Sequence, residues 1–513
     1  MSGALLSGAL SDALVGACRA HALQIAIRGD AAELRYRDLE AQARTVCTTL
    51  QAAGIEADEP VHVQVSNQPL DIAAILGIWL AGGVAVPVHR TTPREVTAGF
   101  ARRTQARWTV DLASDRPAGQ SLISLAAQPP PHRGLLRQAA LVVFTSGSTG
   151  APKGVVVAHG AFHSKIEQID SMLRLSRGDR TLLVLNINFS FGLWVSLLTL
   201  LRGGTLLMRS RFEPDGFLQA LVEHRITRVG MVPTMMRVLF SDAQRDAAIG
   251  RVNNAAHLRQ IWIGGEALGP SLGRVIRDRF SATELVDIYG LTETATCDFF
   301  AFPADYAKHP GCIGRPSPQV QYRIAADGEL QLRSPYLMQG YLDEPALTAA
   351  AYQDGWFRTG DLGRVVDGGD VDGGVVELMG RQKDVISRAG NKVTPAEIEQ
   401  AICSHPDVAA AMAVGIDDAL LGQRIHLLLV PRSGATLTLD DLKSHLAPRL
   451  ERYKQPDTYY VADALPLGRT GKADRTQFKQ QASSASIAPM LNGTCAEPPL
   501  NLQLQPDRTP DEL

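Results

Sequence analysis

Short apolar runs alternate with amphipathic stretches over most of the chain. Residues 61–65, 72–80, 84–88, 141–144, 181–185, 193–200 and 205–208 have a β-like texture, and their alternation with helical stretches predicts layered α/β structure. Three further runs, 230–234, 260–264 and 285–289, read as buried strands, each ending in a turn where a ligand can sit. Window 72–88 is the most apolar, but Gly77, Gly82, Gly83 and Pro87 interrupt it short of a membrane span, which predicts a buried helix and strand instead. From about 311 to 380 the texture changes to short strands broken by Gly, Asp and Pro, which predicts a small β-barrel. After Arg381 a second unit begins. Thr394, Pro395, Ala396 and Glu397 predict a capping box: Thr394 accepts from the Glu397 amide and Glu397 reaches back. Pro395 opens the helix, and Ile398 and Ile402 follow at helical spacing. Residues 483–513 carry little apolar periodicity and predict a disordered or docking tail. At the other end, the Ala/Leu-rich start lacks a basic segment and is interrupted by Asp12, so it predicts an amphipathic helix and no signal peptide. The expected division is 1–382, 383–480 and a tail 481–513, with no internal repeat.

Composition narrows the class. The chain has 513 residues, 45% of them hydrophobic and 20% charged, with a formal net charge of −2, which suits a globular protein of two or more domains. That balance leaves no basic footprint for nucleic acid. Cys18, Cys47, Cys297, Cys312, Cys403 and Cys495 are scattered, with no Cys-x-x-Cys and no Cys/His spacing for a metal, so a reducing cytoplasm is expected.

Candidate chemistry begins directly after the apolar run 140–144. Thr145, Ser146, Gly147, Ser148, Thr149 and Gly150 lead through Ala151 and Pro152 to Lys153 and Gly154. Glycines let backbone N–H groups turn toward an anion, hydroxyls add donors and Lys153 adds charge, so the loop suits a polyphosphate. It is no Walker loop, because Pro152 separates Gly150 from Lys153 and no Ser or Thr follows the lysine. A plain Ser/Gly linker is disfavoured by the buried strand before it and the Pro-Lys-Gly ending.

The loop resembles the signature of the acyl-adenylate-forming superfamily, which includes acyl-CoA synthetases and adenylation domains. Four more motifs stand in the family's order: Tyr289, Gly290, Leu291, Thr292, Glu293, Thr294; then Thr359, Gly360, Asp361; then Gly380, Arg381, Gln382, Lys383, Asp384; and finally Gly471, Lys472. The resemblance covers roughly residues 36–478. It implies a large N-terminal domain of layered α/β subdomains with a small barrel, a small mobile α+β C-terminal domain, and ATP, Mg2+ and coenzyme A or phosphopantetheine as cofactors. Lys472 would lie between the substrate carboxylate and the α-phosphate, Thr292 would touch that phosphate, and Glu293 would hold Mg2+. Tyr289 would stack on adenine with Asp287 beside its amino group. Asp361 would accept the ribose hydroxyls with Arg381 in support, and Lys383 would be the hinge. Leu467 departs from the family, which commonly places a basic residue after the proline that stands here as Pro466. The turn Gly264, Gly265, Glu266 would line the adenine and acyl sites.

The acid is constrained by Asn188, Phe189, Ser190, Phe191, Gly192, Leu193 and Trp194. Amino-acid-activating relatives carry an Asp in this segment to pair with the substrate ammonium; no carboxylate stands here, and an unpaired buried ammonium is costly. The segment resembles that of aryl-CoA ligases. Phe189, Phe191 and Trp194, with Gly264, Gly290 and Leu291, would wall an aromatic or other apolar acyl group, unless those rings belong to the core. Residues 387–392 resemble the loop brought to the thiol, so coenzyme A is the expected acceptor, with a separate carrier protein or an amine as alternatives. A non-catalytic nucleotide-binding regulator would have lost Glu293 or Lys472. A purely structural protein would need neither.

Overall fold

The computed structural model describes residues 10–30, 32–112, 122–126, 130–145, 152–367, 374–432, 434–468 and 473–490. Two of the β-like runs fold as helices, Pro69–Leu80 and Ser190–Leu201. A continuous apolar run suits either element when both faces are buried, and these are long enough to make helical turns. Pro69 at the first turn starts one of them. The chain forms two units, Met1–Leu378 and Met379–Leu513, so the division falls a few residues before the one read from the sequence.

In the first unit, Ile25–Arg28, Thr205–Met208, Arg180–Leu183, Arg228–Met231, Gln260–Gly264 and Glu284–Tyr289 lie side by side in parallel. Their alternate residues feed two cores. Trp262, Val286 and Ile288 enter one with Trp194, whereas Ile261, Ile263 and Leu285 enter the other with Leu239 and Ile276. Burial on both faces is why these strands carry apolar residues at consecutive positions, as at Ile261, Trp262 and Ile263. The antiparallel strands Phe299–Ala301, Cys312–Pro316, Val375–Arg381, Trp356–Asp367, Glu329–Arg333 and Gln321–Ile324 continue the same sheet in that pairing order. All but the first of them occupy the stretch, about 311 to 380, expected to form a small barrel.

A second sheet of the first unit contains Pro60–Val65, Val84–His89, Ala139–Thr145 and Lys153–Ala158. The last two are antiparallel, with Thr145 opposite Lys153. The loop between them therefore ends in a strand, which is the structural reason it is no Walker loop. The second unit holds the hairpin Val408–Asp418 and Gly422–Pro431, flanked by Ile386–Arg388 and Thr458–Val461 and by helices Pro395–Cys403, Leu439–Leu446 and Arg475–Ser483.

Two expectations change here. Pro395 does open a helix, but Thr394 makes no side-chain cap and its hydroxyl is buried without a partner among the described residues. Lys454 instead takes the Glu397 carboxylate at 2.6 Å, so a tertiary ion pair replaces the box. The start of the tail is also ordered: Ile487 packs on the core around Phe478, and the Met490 amide donates to the Tyr459 carbonyl at 2.8 Å. That edge strand had an unused acceptor, which the chain satisfies. Residues 491–513 lie outside the described residues. Among the described residues no helix is long and apolar enough to cross a membrane.

Candidate active site

The site candidates of the first unit gather where strands end. Thr145 and Lys153 stand at the mouth of the hairpin, and the Lys153 ammonium lies 5.1 Å from the centre of the Tyr341 ring. Tyr341 is held there by the short strand Gly340–Tyr341, which pairs with Val155 and Val156. Its hydroxyl donates to Glu293 Oε1 at 3.0 Å, and burial together with that carboxylate pushes the phenol well above its ordinary range. Tyr341 thus joins Lys153 to Glu293, and sequence reasoning missed it. Nothing in its local pattern marks it, because its place depends on a pairing with strands nearly 200 residues away. Ser146, Gly147, Ser148, Thr149 and Gly150 lie outside the described residues, as does Lys472.

The loop after Glu284–Tyr289 is tightly built. A Cβ at Gly290 would stand 2.1 Å from the Cys297 nitrogen, so only glycine allows the loop to close. Thr292–Thr294 forms one 3-10 turn, and the Met338 amide donates to the Glu293 carbonyl at 2.7 Å. Thr292 and Glu293 are half-buried, as is Leu291, which packs on the core.

Tyr289 and Asp361, 72 residues apart, meet: the phenol donates to Asp361 Oδ2 at 2.8 Å. Gly360, at φ +73°, makes the left-handed turn that delivers Asp361, and its amide donates to Glu329 Oε1 at 2.9 Å. Glu329 is itself paired with Arg358 at 2.8 Å. This supporting carboxylate was also missed, since an acidic residue in a strand reads as solvent-facing.

Glu266 has a structural occupation. Thr234 donates to its carboxylate at 2.9 Å and Arg237 lies 3.3 Å away, tying the turn to the helix Pro233–Leu239. Gly265 makes that turn at φ +83°, and a Cβ at Gly264 would come within 2.4 Å of the Ile288 carbonyl.

Asp287 is buried beside Arg277, whose guanidinium lies 3.6 Å from the centre of the Tyr306 ring. Burial pushes the Asp287 carboxyl up to about 7, with Arg277 opposing. Between its ordinary value and about 7 the folded chain holds a proton that the unfolded chain has released, so stability falls as pH rises through that window. Asp287→Asn should therefore stabilise the fold at pH 8 by on the order of a few kcal/mol, seen as a raised thermal midpoint, with the gain shrinking toward pH 5. A gain independent of pH in melting curves would contradict this.

The segment from Asn188 divides between site and core. Trp194 is fully buried and belongs to the core, so it does not wall a pocket. Phe191 is half-buried and stacks on Trp194 at 5.5 Å with an interplanar angle of 7°. Its ring lies across two strand ends, 3.3 Å from a Cβ built at Gly230 and 3.5 Å from one at Gly264. Phe189 and Ser190 are half-buried, and Ser190 Oγ stands 3.2 Å from Thr292 Oγ1. Asn188 Oδ1 is buried without a partner among the described residues.

In the second unit, Arg381 and Lys383 are exposed, Lys383 within the turn Gln382–Asp384. Ser387 and Lys392 face each other across a hairpin at 2.7 Å, with Ala389 and Gly390 at its left-handed tip. Leu467 is exposed and bridges to Ala473, one on each side of the Lys472 segment.

Comparison with known proteins follows the same two units. A family model described as AMP-binding enzyme matches residues 15–342, and one described as AMP-binding enzyme C-terminal domain matches residues 397–472. The chain is 29% identical over 481 residues to a feruloyl-CoA synthase of an Amycolatopsis species, covering 89% of this chain and 95% of the relative. It is 30% identical over 488 residues to a sulfoacetate–CoA ligase of Cupriavidus necator, covering 88% and 92%. Among solved structures, an anthranilate CoA ligase in complex with anthranoyl-AMP matches with a TM-score of 0.81 at 19% identity, covering 94% of this chain and 98% of that one. At that identity the likeness is one of fold.

Proposed function

The chain belongs to the AMP-binding enzyme family, as an ATP-dependent acid–thiol ligase like its curated relatives, and we propose that the acid it activates is aromatic. The acid's carboxylate attacks the α-phosphorus of ATP, the bond to the bridging oxygen breaks, and pyrophosphate leaves. The thiol of coenzyme A then attacks the acyl carbon, AMP departs and the thiol proton is released.

The observation that carries the aromatic reading is the 3.2 Å contact between Ser190 and Thr292. It sets the Phe189–Phe191 turn against the loop where the α-phosphate would be held, and no carboxylate in that turn could pair with an ammonium. Phe191, laid over Gly230 and Gly264, offers an apolar face to a flat acyl group. Feruloyl-CoA synthase and sulfoacetate–CoA ligase are similarly distant relatives with very different acids by name, so the choice rests on the pocket's chemistry.

In this reading Thr145, Lys153 and the loop between them hold the β- and γ-phosphates, Thr292 touches the α-phosphate, Tyr289 stacks on adenine and Asp361 accepts from the ribose. Arg381 supports the ribose and Lys472 the attacking carboxylate. Among the described residues no three His, Cys, Asp or Glu side chains converge as a metal cage. Glu293 suits Mg2+ by its own chemistry, since that cation takes one or two carboxylates and completes its shell with phosphate oxygens and water. When bound, the cation would neutralise phosphate charge; Tyr341 orients the Glu293 carboxylate by its hydrogen bond.

The test is ATP–pyrophosphate exchange across a panel of benzoates, cinnamates, aliphatic acids, sulfoacetate and amino acids, followed by coenzyme A or a carrier protein as acceptor. Exchange should be strongest with aromatic acids, and coenzyme A should yield a thioester. Preference for an amino acid or a short aliphatic acid would overturn the aromatic assignment, and a thioester formed only on a carrier protein would overturn the acceptor.

A further inference from the structure

Behind the loop that carries Thr292 and Glu293 lies a buried ion pair that has no part in the bond-making steps given above. Lys165 Nζ lies 3.1 Å from Asp298 Oδ1, and both side chains are essentially inaccessible, at 0% and 1% exposure. Lys165 also donates to Ser317 Oγ at 3.2 Å, and its ammonium stands 5.0 Å from the centre of the Tyr336 ring. The second oxygen of Asp298 accepts from the Thr294 hydroxyl, which is itself 3.2 Å from the Leu291 amide and 3.0 Å from the Leu291 carbonyl. The Asp298 amide donates to the Tyr289 carbonyl and its carbonyl accepts from the Ser317 amide, each at 2.7 Å. One aspartate thus gathers both ends of the loop.

The loop needs such a clamp. Ala295, Thr296 and Cys297 are all left-handed, with φ of 53°, 74° and 52°. Three consecutive non-glycine residues in that region are strained, most of all a β-branched threonine, and such strain persists only where the surroundings over-determine it. The pair is also a poor source of stability as such, since replacing a buried ion pair by apolar side chains is often neutral or stabilising. What it supplies is direction: the Asp298 carboxylate, oriented by Lys165, holds Thr294 and so the turn Thr292–Thr294.

Lys165 also has a telling origin. It sits on the helix His159–Leu173, which follows directly on the strand Lys153–Ala158 of the second sheet, whereas Asp298 closes a loop of the first. The ion pair therefore ties the helix downstream of Lys153 to the loop of Glu293.

We propose that Lys165 is a positioning residue for adenylation, acting through Asp298 and Thr294 to hold Thr292 and Glu293 in register with Lys153. The proposal rests on the adenylation reading of this site. Two kinds of variant test it. Thr294→Val removes the hydroxyl at nearly constant volume, and Thr294→Ser keeps it. The double variant Lys165→Met with Asp298→Leu removes both charges and avoids leaving one buried alone.

Three measurements are read together: the thermal midpoint, hydrogen exchange of the amides of residues 290–298, and the kcat and KM of pyrophosphate exchange. The double variant should melt at or above the lower of the single variants Lys165→Met and Asp298→Leu, each of which leaves one charge buried alone, and lose exchange protection over 290–298. Its kcat should fall by about 10²-fold, the cost of misplacing a positioned group by about 1 Å, while KM for the acid stays within about twofold. Thr294→Val should shift in the same direction and Thr294→Ser should restore it. Protection and kcat both at the wild-type level in the double variant would overturn the proposal, as would equal effects of Thr294→Val and Thr294→Ser. Absence of exchange in the wild-type protein with every acid would sink the adenylation reading instead, and loop protection would still report on the clamp.

Discussion

Lys472→Ala should lower ATP–pyrophosphate exchange by about 10²-fold or more, with little change in the binding of ATP or acid. The attack brings a carboxylate against a phosphate. Two unit charges at 4 Å repel by about 1 kcal/mol in water and about 4 kcal/mol at an effective dielectric of 20. A preorganised cation offsets that repulsion most where charge is concentrated, in the transition state, and removal of one preorganised donor of this kind typically costs about 10²–10³-fold in kcat. Lys472 is the last residue matched by the C-terminal family model, and Leu467, where a basic side chain is common in the family, supplies no substitute charge. Lys472→Arg should recover part of the loss, because the charge remains while the shape changes. Exchange at the wild-type rate in Lys472→Ala would remove this lysine from the chemistry.

Lys383→Pro should separate the two half-reactions. The turn Gln382–Asp384 follows closely on the division between the two units, and Lys383 is exposed within it. Proline fixes φ near −65° and removes the amide, at a cost of about 3 kcal/mol or more where the backbone must do otherwise. A 3-10 turn tolerates that φ. If thiol transfer requires this residue to adopt a second backbone conformation, thioester formation should fall by on the order of 10²-fold while pyrophosphate exchange persists, so that acyl-adenylate accumulates. Quenched-flow analysis of acyl-AMP and acyl-CoA in one reaction distinguishes the outcomes; equal loss of both steps would refute a hinge at Lys383.

Much of the fold was legible because its signals are local. The runs at 84–88, 205–208, 260–264 and 285–289 became strands Val84–His89, Thr205–Met208, Gln260–Gly264 and Glu284–Tyr289, since bounded short apolar runs have few other ways to be buried. The runs at 72–80 and 193–200 became helices because burial on all sides erases the periodicity that would distinguish the two. Thr394 shows the opposite failure: its motif fits a capping box, but Lys454, 57 residues from Glu397, competes successfully for the carboxylate. In the candidate site, the hydroxyl-rich loop could be picked out by its own chemistry, whereas Thr292–Glu293 and Gly360–Asp361 were marked by their resemblance to the family's motifs. Tyr341 and Glu329 could not, because neither differs locally from an ordinary strand residue.

The chain's order of residues alone therefore determined the α/β layering, the phosphate-suited loop and why it is no Walker loop, the motif series that marks the family, and the lack of a carboxylate between Asn188 and Trp194. Those properties depend on side-chain type, on turn chemistry and on spacing over a few residues. The tertiary structure decided which polar groups are spent on one another. It tied Glu266 to Thr234, set Tyr289 against Asp361, sank Asp287 beside Arg277, sent Trp194 into the core, and joined Lys165 to Asp298 across 133 residues of chain. A charge has no local pattern that names its partner; its pairing follows from which elements pack together and from the free-energy cost of leaving it alone in the interior.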